Sequence, residues 1–462
     1  MTTDWEPWPA LQRKSNHVVV KLLVLAILAG LSFRLLFSRS DVLHPVPVSP
    51  ADEAEREASA ESMAADVLGL EDDDGGSLST NLGFSVDEEQ VVSKPDRCDL
   101  FTGQWIPNPS GPTYTNESCR FIEPPQNCMK NGRHDTRYLF WRWKPHDCDV
   151  SPFNAKRFLD TMQNKSLALV GDSIVRNQAQ SLICLLSKYE PIAGMFKDLH
   201  VLVQVEEPVE VYHDEQYKSR KWHFPSYSFN LSLIWSPFLI KAAIFENDEG
   251  ESKSVNRLHL DTLDQKWTSQ YKSFDYVVIS SGQWFLKTAI YMENNKLVGC
   301  HYCPKLNLSE ISIEYAYNKV LNSLYRFIKT SEHKPIVMYR TWTPDHFEYG
   351  EWFSGGLCNR TEPYKAGEGS GRDVDNFMRT IELNAFTRAV AAEGTRNGIR
   401  LKLLDTYQLS VLRPDAHTGP YRTFHPFEHG KNVKVQYDCL HWCLPGAIDT
   451  WNDVMMKLIM DE

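Results

Sequence analysis

The sequence predicts an α/β fold, a mostly parallel sheet with helices on both faces, preceded by a small cysteine- and tryptophan-rich module. Three observations carry this reading. From about residue 152, short apolar runs alternate with segments of helical spacing. Each apolar run ends in small or polar residues. The chain, at 462 residues, is long enough to bury a large core.

The elements follow in order. "SLALVG" (166–171) reads as a buried strand and 174–188 as a helix with Val175, Leu182, Leu185 and Leu186 at helical spacing. "DYVVISSG" (275–282), "PIVMYRT" (335–341) and "IRLKLLD" (399–405) are further buried strands, and 311–330, 374–393 and 446–460 further helices. Residues 220–246 read instead as local antiparallel strands. The strands end in Gly171-Asp172-Ser173, Ser280-Ser281-Gly282, Arg340-Thr341 and Asp405-Thr406. In an open α/β sheet, a site forms outside the carboxyl ends of the strands. Residues 96–151 carry four cysteines with Trp105, Trp141 and Trp143, and suit a loop-rich module stapled by disulfides.

The N-terminal part differs in kind. Residues 1–17 read as a cytosolic tail and 18–37, "VVVKLLVLAILAGLSFRLLF", as a signal-anchor transmembrane helix, since about 20 apolar residues span a bilayer. No small-x-small cleavage site follows, which argues against a removed signal peptide. Residues 38–95 read as a disordered acidic stem. Thirteen acidic residues and one Arg fall between Asp52 and Glu89, a charge of −12 against −11 for the whole chain. The remainder is therefore nearly neutral, and no nucleic-acid partner is implied. All ten cysteines follow the apolar stretch, as do N-x-S/T acceptor sequences at Asn116, Asn164, Asn230, Asn307 and Asn359. An even cysteine count beyond a membrane anchor fits a disulfide framework in an oxidising lumen.

The chemistry centres on "LVGDSIVRNQ". Ser173, just past a strand and opening a helix, is placed to be a nucleophile served by helix N–H groups, and either Ser173 or Asp172 is equally placed to be a helix cap. The base must come from elsewhere. "VQYDCLHWCLPG" places Asp438 three residues before His441 between two cysteines, where a carboxylate reaches a ring N–H and orients it. Gly171, Asp172, Arg176, Asn177 and Gly282 are candidates to form or support an oxyanion site. Zinc held by "CHYC" (300–303) or "CLHWC" (439–443) is weaker than disulfides in an oxidising lumen, so no metal is expected. HExxH, the phosphate-binding GxxxxGK[ST], GxGxxG before a helix and GxSxG are all absent.

Five stretches taken together carry a resemblance: "CDLFTGQW", "CMKNGRHDTRYLFWRWKPHDCD", "LVGDSIVRNQ", "RTWTPDHFEYGEW" and "DCLHWCLPGAIDTWNDV". The set resembles the plant trichome-birefringence-like family of polysaccharide O-acetyltransferases over roughly residues 96–458. The resemblance implies a three-layer GDSL/SGNH-esterase-like domain over 152–462 in a single-pass type II Golgi membrane protein with a luminal catalytic body. It implies Ser173 as nucleophile, His441 as base and Asp438 as its orienting acid. Acetyl would pass from a donor (acetyl-CoA or another acetyl carrier, with no cofactor resident) to Ser173 and then to a sugar hydroxyl. It suggests the disulfides Cys98–Cys148, Cys119–Cys184, Cys128–Cys443 and Cys358–Cys439, leaving Cys300 and Cys303 over. Departures fall at His134, Ala416 and Thr418, away from the three catalytic candidates.

The wording of the loops is most similar to the branch acting on xyloglucan and mannan. A hemicellulose acceptor is expected, xyloglucan first, then mannan, then xylan, with Golgi acetylation components as candidate partners. Trp222, Trp235, Trp284, Trp342 and Trp352 are candidates for the floor of a glycan groove, with core packing the competing role. Two other functions stay open: an acetyl esterase using water as acceptor, and a non-catalytic wall-glycan binding protein.

Overall fold

The computed structural model describes residues 98–187, 189–191, 202–204, 206–244, 255–365, 367–391, 400–428 and 435–461. The expected tail, membrane anchor and stem over 1–95 lie outside the described residues. Among the described residues no helix is long and apolar enough to cross a membrane.

The strands used below are, in chain order, β1 (Gly103–Pro107), β2 (Trp141–Pro145), β3 (Ser166–Gly171), β4 (Val209–His213), β5 (Arg220–Phe224), β6 (Phe229–Trp235), β7 (Ile240–Ala243), β8 (Asn256–Leu263), β9 (Tyr276–Ile279), β10 (Ala289–Glu293), β11 (Lys296–His301), β12 (Ile336–Arg340), β13 (Arg400–Leu404), β14 (His417–Gly419) and β15 (Asp438–Trp442). The helices are α1 (Ala155–Thr161), α2 (Ser173–Leu186), α3 (Ile313–Thr330), α4 (Asp373–Ala391) and α5 (Asp449–Met460).

Seven strands form the main sheet in the order β13-β12-β9-β3-β6-β5-β4. The first five are parallel, and β5 and β4 extend the edge antiparallel. The antiparallel reading of 220–246 therefore holds for the β5–β6 pair and for β7, which pairs antiparallel with β8, and needs correction for the other edge of β6. β6 pairs β3 in parallel along its length, Ser166 opposite Asn230 through Gly171 opposite Trp235. The near-continuous burial of β6 does not distinguish these partners, because a strand inside a sheet covered on both faces buries its side chains whichever neighbour it pairs with. A second sheet, β11-β10-β8-β7, also lay outside the sequence reading.

Every residue of β9 and β12 is buried, as expected for strands covered on both faces. Two neighbours in β12 identify the layers. The Tyr339 hydroxyl meets Tyr317 of α3 at 2.9 Å and donates to Glu382 of α4 at 3.1 Å. The next side chain, Arg340, lies over the ring of Trp451 in α5, 4.8 Å from its centroid. Alternate strand residues face opposite ways, so α3 and α4 cover one face and α5 the other. α2 packs beside α5, where Gln178 Nε2 donates to Asn452 Oδ1 at 3.3 Å.

Local chemistry sets the helix starts. Asn154, Asp172 and Ser312 cap α1, α2 and α3, accepting from Arg157, Ile174 and Tyr315 respectively. The buried face of α3 is Ala316, Tyr317, Val320, Leu321, Leu324, Tyr325 and Ile328, the period of an amphipathic helix.

The segment before β3 is bolted onto this frame. β1 and β2 pair antiparallel with Trp105 opposite Trp143, and Trp105 Nε1 donates to the Leu409 carbonyl at 3.0 Å. The pairings Cys98–Cys148, Cys119–Cys184, Cys128–Cys443 and Cys358–Cys439 are all present. Cys300 and Cys303, expected to be left over, form a fifth disulfide with each other at the end of β11. With all ten cysteines bonded, neither cysteine motif offers a thiolate to zinc.

Candidate functional site

β3 is the strand at which the order of the sheet reverses. The chain leaves it toward β6 on one side and returns at β9 on the other. A crevice opens outside the carboxyl end of such a strand, and Gly171, Asp172 and Ser173 occupy that end. The neighbouring strand ends close around it. Ser236 donates its N–H to the Gly171 carbonyl at 2.8 Å, and Ser280 donates to Val170 at 3.1 Å. A Cβ at Gly171 would lie 2.1 Å from the Ser280 carbonyl oxygen, so the approach of β3 to β9 needs glycine there.

The two roles open to Ser173 are separated by its neighbour. Asp172 is the N-cap of α2, its carboxylate accepting from Ile174 N–H at 3.0 Å. Its carbonyl accepts from Arg176 N–H at 3.1 Å. The orphan donors of the first turn are thus drawn to Asp172, while nothing among the described residues accepts from the Ser173 N–H or bonds its hydroxyl. Burial raises the Asp172 carboxyl, while Arg340, the backbone N–H groups and His441 oppose the rise. The last of these places His441 within electrostatic reach of the residue beside Ser173.

The Asp438–His441 pair forms as the spacing predicts. Asp438 Oδ2 accepts from His441 Nδ1 at 2.8 Å, and Oδ1 accepts from the Leu440 and His441 backbone N–H groups at 3.1 and 2.9 Å. Burial alone would raise this carboxyl. The His441 ring, its hydrogen bonds and Arg422 more than offset that and hold it well below the usual carboxylate range. Two disulfides bracket the pair, Cys358–Cys439 and Cys128–Cys443. The strand is tied to α2 by Trp442, whose N–H donates to Asn177 Oδ1 at 2.8 Å.

The remaining candidates separate by environment. Gly282 starts a short 3-10 turn, its carbonyl taken by Phe285 while nothing described accepts from its N–H. A Cβ there would meet the Trp342 ring at 2.8 Å. Asn177 is wholly buried, its amide oxygen accepting from Trp442 while its Nδ2 has no partner among the described residues, so it ties the helix to the strand and keeps a donor in hand. Arg176 is half-buried on the rim, 3.7 Å from Glu123 and over the ring of Trp235. Of the five tryptophans, Trp222, Trp342 and Trp235 are core residues, at 2%, 1% and 7% exposure. Trp284 is half-buried and Trp352 is 50% exposed. Trp352 shares its loop with exposed Tyr349 and Phe353, and the loop is anchored to β15 through Cys358–Cys439. The acceptor asparagines 164, 230, 307 and 359 are exposed and Asn116 is half-buried.

Sequence reasoning missed His346 and His417. They meet at 2.6 Å directly behind β15. Seventy-one positions separate them, and no local pattern joins residues so far apart.

A family model described as the GDSL/SGNH-like acyl-esterase family found in Pmr5 and Cas1p matches residues 150–458, and a PMR5 N-terminal domain model matches 96–149. The chain is 48% identical to protein trichome birefringence-like 25 of Arabidopsis thaliana, over 97% of this chain and 93% of that one. It is 36% identical to xyloglucan O-acetyltransferase 1 of Arabidopsis thaliana over 96% of each chain. It is 38% identical to xyloglucan O-acetyltransferase 1 of Populus trichocarpa, over 80% of this chain and 82% of that one.

Proposed function

The chain belongs to the trichome-birefringence-like family with its GDSL/SGNH-like acyl-esterase domain, and on that premise we propose that this O-acetyltransferase works through an acetyl-Ser173 intermediate on a hydroxyl of a cell-wall hemicellulose. The observation that carries the reading is the 2.8 Å Asp438–His441 bond on a strand tied to the helix that Ser173 begins.

The steps follow from the groups present. His441 Nε2 takes the proton of the Ser173 hydroxyl as its oxygen attacks the acetyl carbonyl. Asp438, held ionised, keeps the proton on Nδ1 and stabilises the imidazolium. The Ser173 and Gly282 N–H groups are the donors free to meet the oxyanion. The bond to the donor's leaving group breaks, and His441 returns the proton to that group. In the second half the acceptor hydroxyl loses its proton to His441 and attacks acetyl-Ser173. The sugar ester leaves, and His441 reprotonates the serine.

The names of two relatives favour xyloglucan as acceptor, with mannan and xylan as the other outcomes of an acceptor panel. Exposed Trp352 and half-buried Trp284 are the candidate sugar-stacking rings. The disulfides support an oxidising lumen, and residues 18–37 supply a segment suited to a Golgi membrane anchor with the catalytic body luminal. The test is incubation of the purified full chain with acetyl-CoA and hemicellulose oligosaccharides, followed by mass analysis of the products. Acetylated oligosaccharide supports the reading. Free acetate with no acetylated sugar would replace it with an esterase.

A further inference from the structure

His346 and His417 have no part in those steps, yet they stand directly behind His441. Three contacts run in line. His346 Nε2 meets the Val411 carbonyl at 2.9 Å, His346 Nδ1 meets His417 Nε2 at 2.6 Å, and His417 Nδ1 meets the His441 carbonyl at 3.1 Å. A carbonyl only accepts, so both outer nitrogens must carry protons. Two neutral imidazoles hold just two protons. With both on the outer nitrogens, the inner pair would face each other as lone pairs at hydrogen-bonding distance. A third proton between them turns that repulsion into a bond.

We propose that His346 and His417 share one proton as a singly charged pair, and that this pair positions His441 by obliging the His417 Nδ1–H to donate to the His441 carbonyl. Burial, the largest influence on both rings, opposes the charge and lowers His346 to about 4 and His417 well below the ordinary imidazole range, so the charge has to be sustained by the three contacts and the neighbouring groups. The Trp442 ring stacks on His417 with centroids 4.1 Å apart and planes 25° apart, an arrangement that favours a cation. Asp438 on β15, Asp415 on the turn before β14 and Glu348 on the loop after β12 favour the charge, while Arg372 and His441 oppose it. Two further arginines face the pair but are committed elsewhere. Arg133 donates to the His417 and Asp415 carbonyls, and Arg413 is paired with the Asp415 carboxylate. Sharing one proton, the two rings titrate as a unit.

The consequence is mechanical. The peptide joining His441 to Trp442 is held from two sides. His417 donates to its carbonyl, and Asn177 on the Ser173 helix accepts from its N–H. A histidine base set on that peptide keeps its distance from the serine only while both bonds hold.

The positioning role rests on the Ser173–His441 reading, and the proton count does not. The full chain is labelled with ¹⁵N-histidine, and the two rings are assigned by loss of signal in His346→Asn and His417→Asn variants. Three protonated ring nitrogens across the pair at neutral pH are expected, and two overturn the shared proton. Kinetics test the positioning. His417→Asn keeps a donor where Nδ1–H stood, whereas His417→Gln keeps one only toward His346. The Asn variant is expected to hold kcat within about tenfold of wild type and the Gln variant to lose about tenfold more. Both should keep KM and the thermal midpoint. Equal kcat in the two, or a Gln variant better than Asn, overturns positioning and leaves a space-filling role. Absence of acetyl transfer in the wild type overturns the site reading and the positioning role with it, while the shared proton stands or falls on the spectrum.

Discussion

The side-chain oxygen of Asn177 accepts the Trp442 backbone N–H at 2.8 Å, and this bond joins the helix of Ser173 to the strand of Asp438 and His441. Asn177 lies one helical turn beyond Ser173, and Trp442 directly follows His441. The bond is buried and runs between groups 265 positions apart. Asn177→Ala would leave the Trp442 N–H without its partner, at a cost of about 1–3 kcal/mol. We expect a lowered thermal midpoint together with a drop in kcat of about 10²-fold from the shifted base. Calorimetry and acetyl-transfer kinetics on the same preparation check both.

Asp438→Asn should leave the fold standing and remove the charge that fixes the His441 tautomer. A loss in kcat of about 10⁴-fold is expected, with little change in KM. A loss below tenfold would mean that the 2.8 Å bond orients nothing the reaction uses.

Trp352→Ala tests the acceptor side. Trp352 is half exposed on a loop bonded to the neighbour of Asp438, and packs edge-on against Phe353 alone among the described rings. Removing an exposed ring costs the core nothing, so the thermal midpoint should hold. KM for the polysaccharide should rise about tenfold, the loss of one stacking contact. Formation of the acetyl-enzyme from the donor should be unchanged.

Stability should fall as pH rises from about 5 to 8. Burial lifts four carboxyls, Asp449 to about 6, Asp345 to about 7, and Glu382 and Asp453 to about 8. Each is protonated in the folded chain at pH 5 and ionised in the unfolded one, so unfolding releases protons and alkali favours it. Asp438 has the opposite sign, and its contribution is present above the ordinary carboxylate range and lost only below it. Thermal midpoints across pH 5–8 check the direction. Asp453→Asn, which keeps the acceptor for Phe153 N–H, should flatten the fall.

Much of the site was legible in the sequence, for a physical reason in each case. Asp438 and His441 are close in sequence, so a turn between two disulfides is enough to join them. Ser173 was ambiguous, because serine at a helix start is a donor-served nucleophile and a cap alike. Asp172 taking the cap is a matter of side-chain direction that residue type does not encode. β6 was read with its hairpin neighbour because hairpins are local, whereas its parallel partner β3 lies across the intervening strands. The Cys300–Cys303 bond was missed because the resemblance supplies four other pairings and none for these two, and spacing alone does not say whether cysteines three positions apart at a strand end are bonded. The bond from Trp442 N–H to the Asn177 oxygen was not legible, because the two groups are 265 positions apart and spacing from Ser173 does not say which amide atom is used.

The most direct measurement is acetyl capture. The full chain, given a labelled acetyl donor and no acceptor, is quenched, digested and mapped by mass spectrometry. Label on the peptide that contains Ser173, absent in Ser173→Ala and discharged when hemicellulose is added, is the expected result. Label on another residue, or full acetyl transfer by Ser173→Ala, would contradict it.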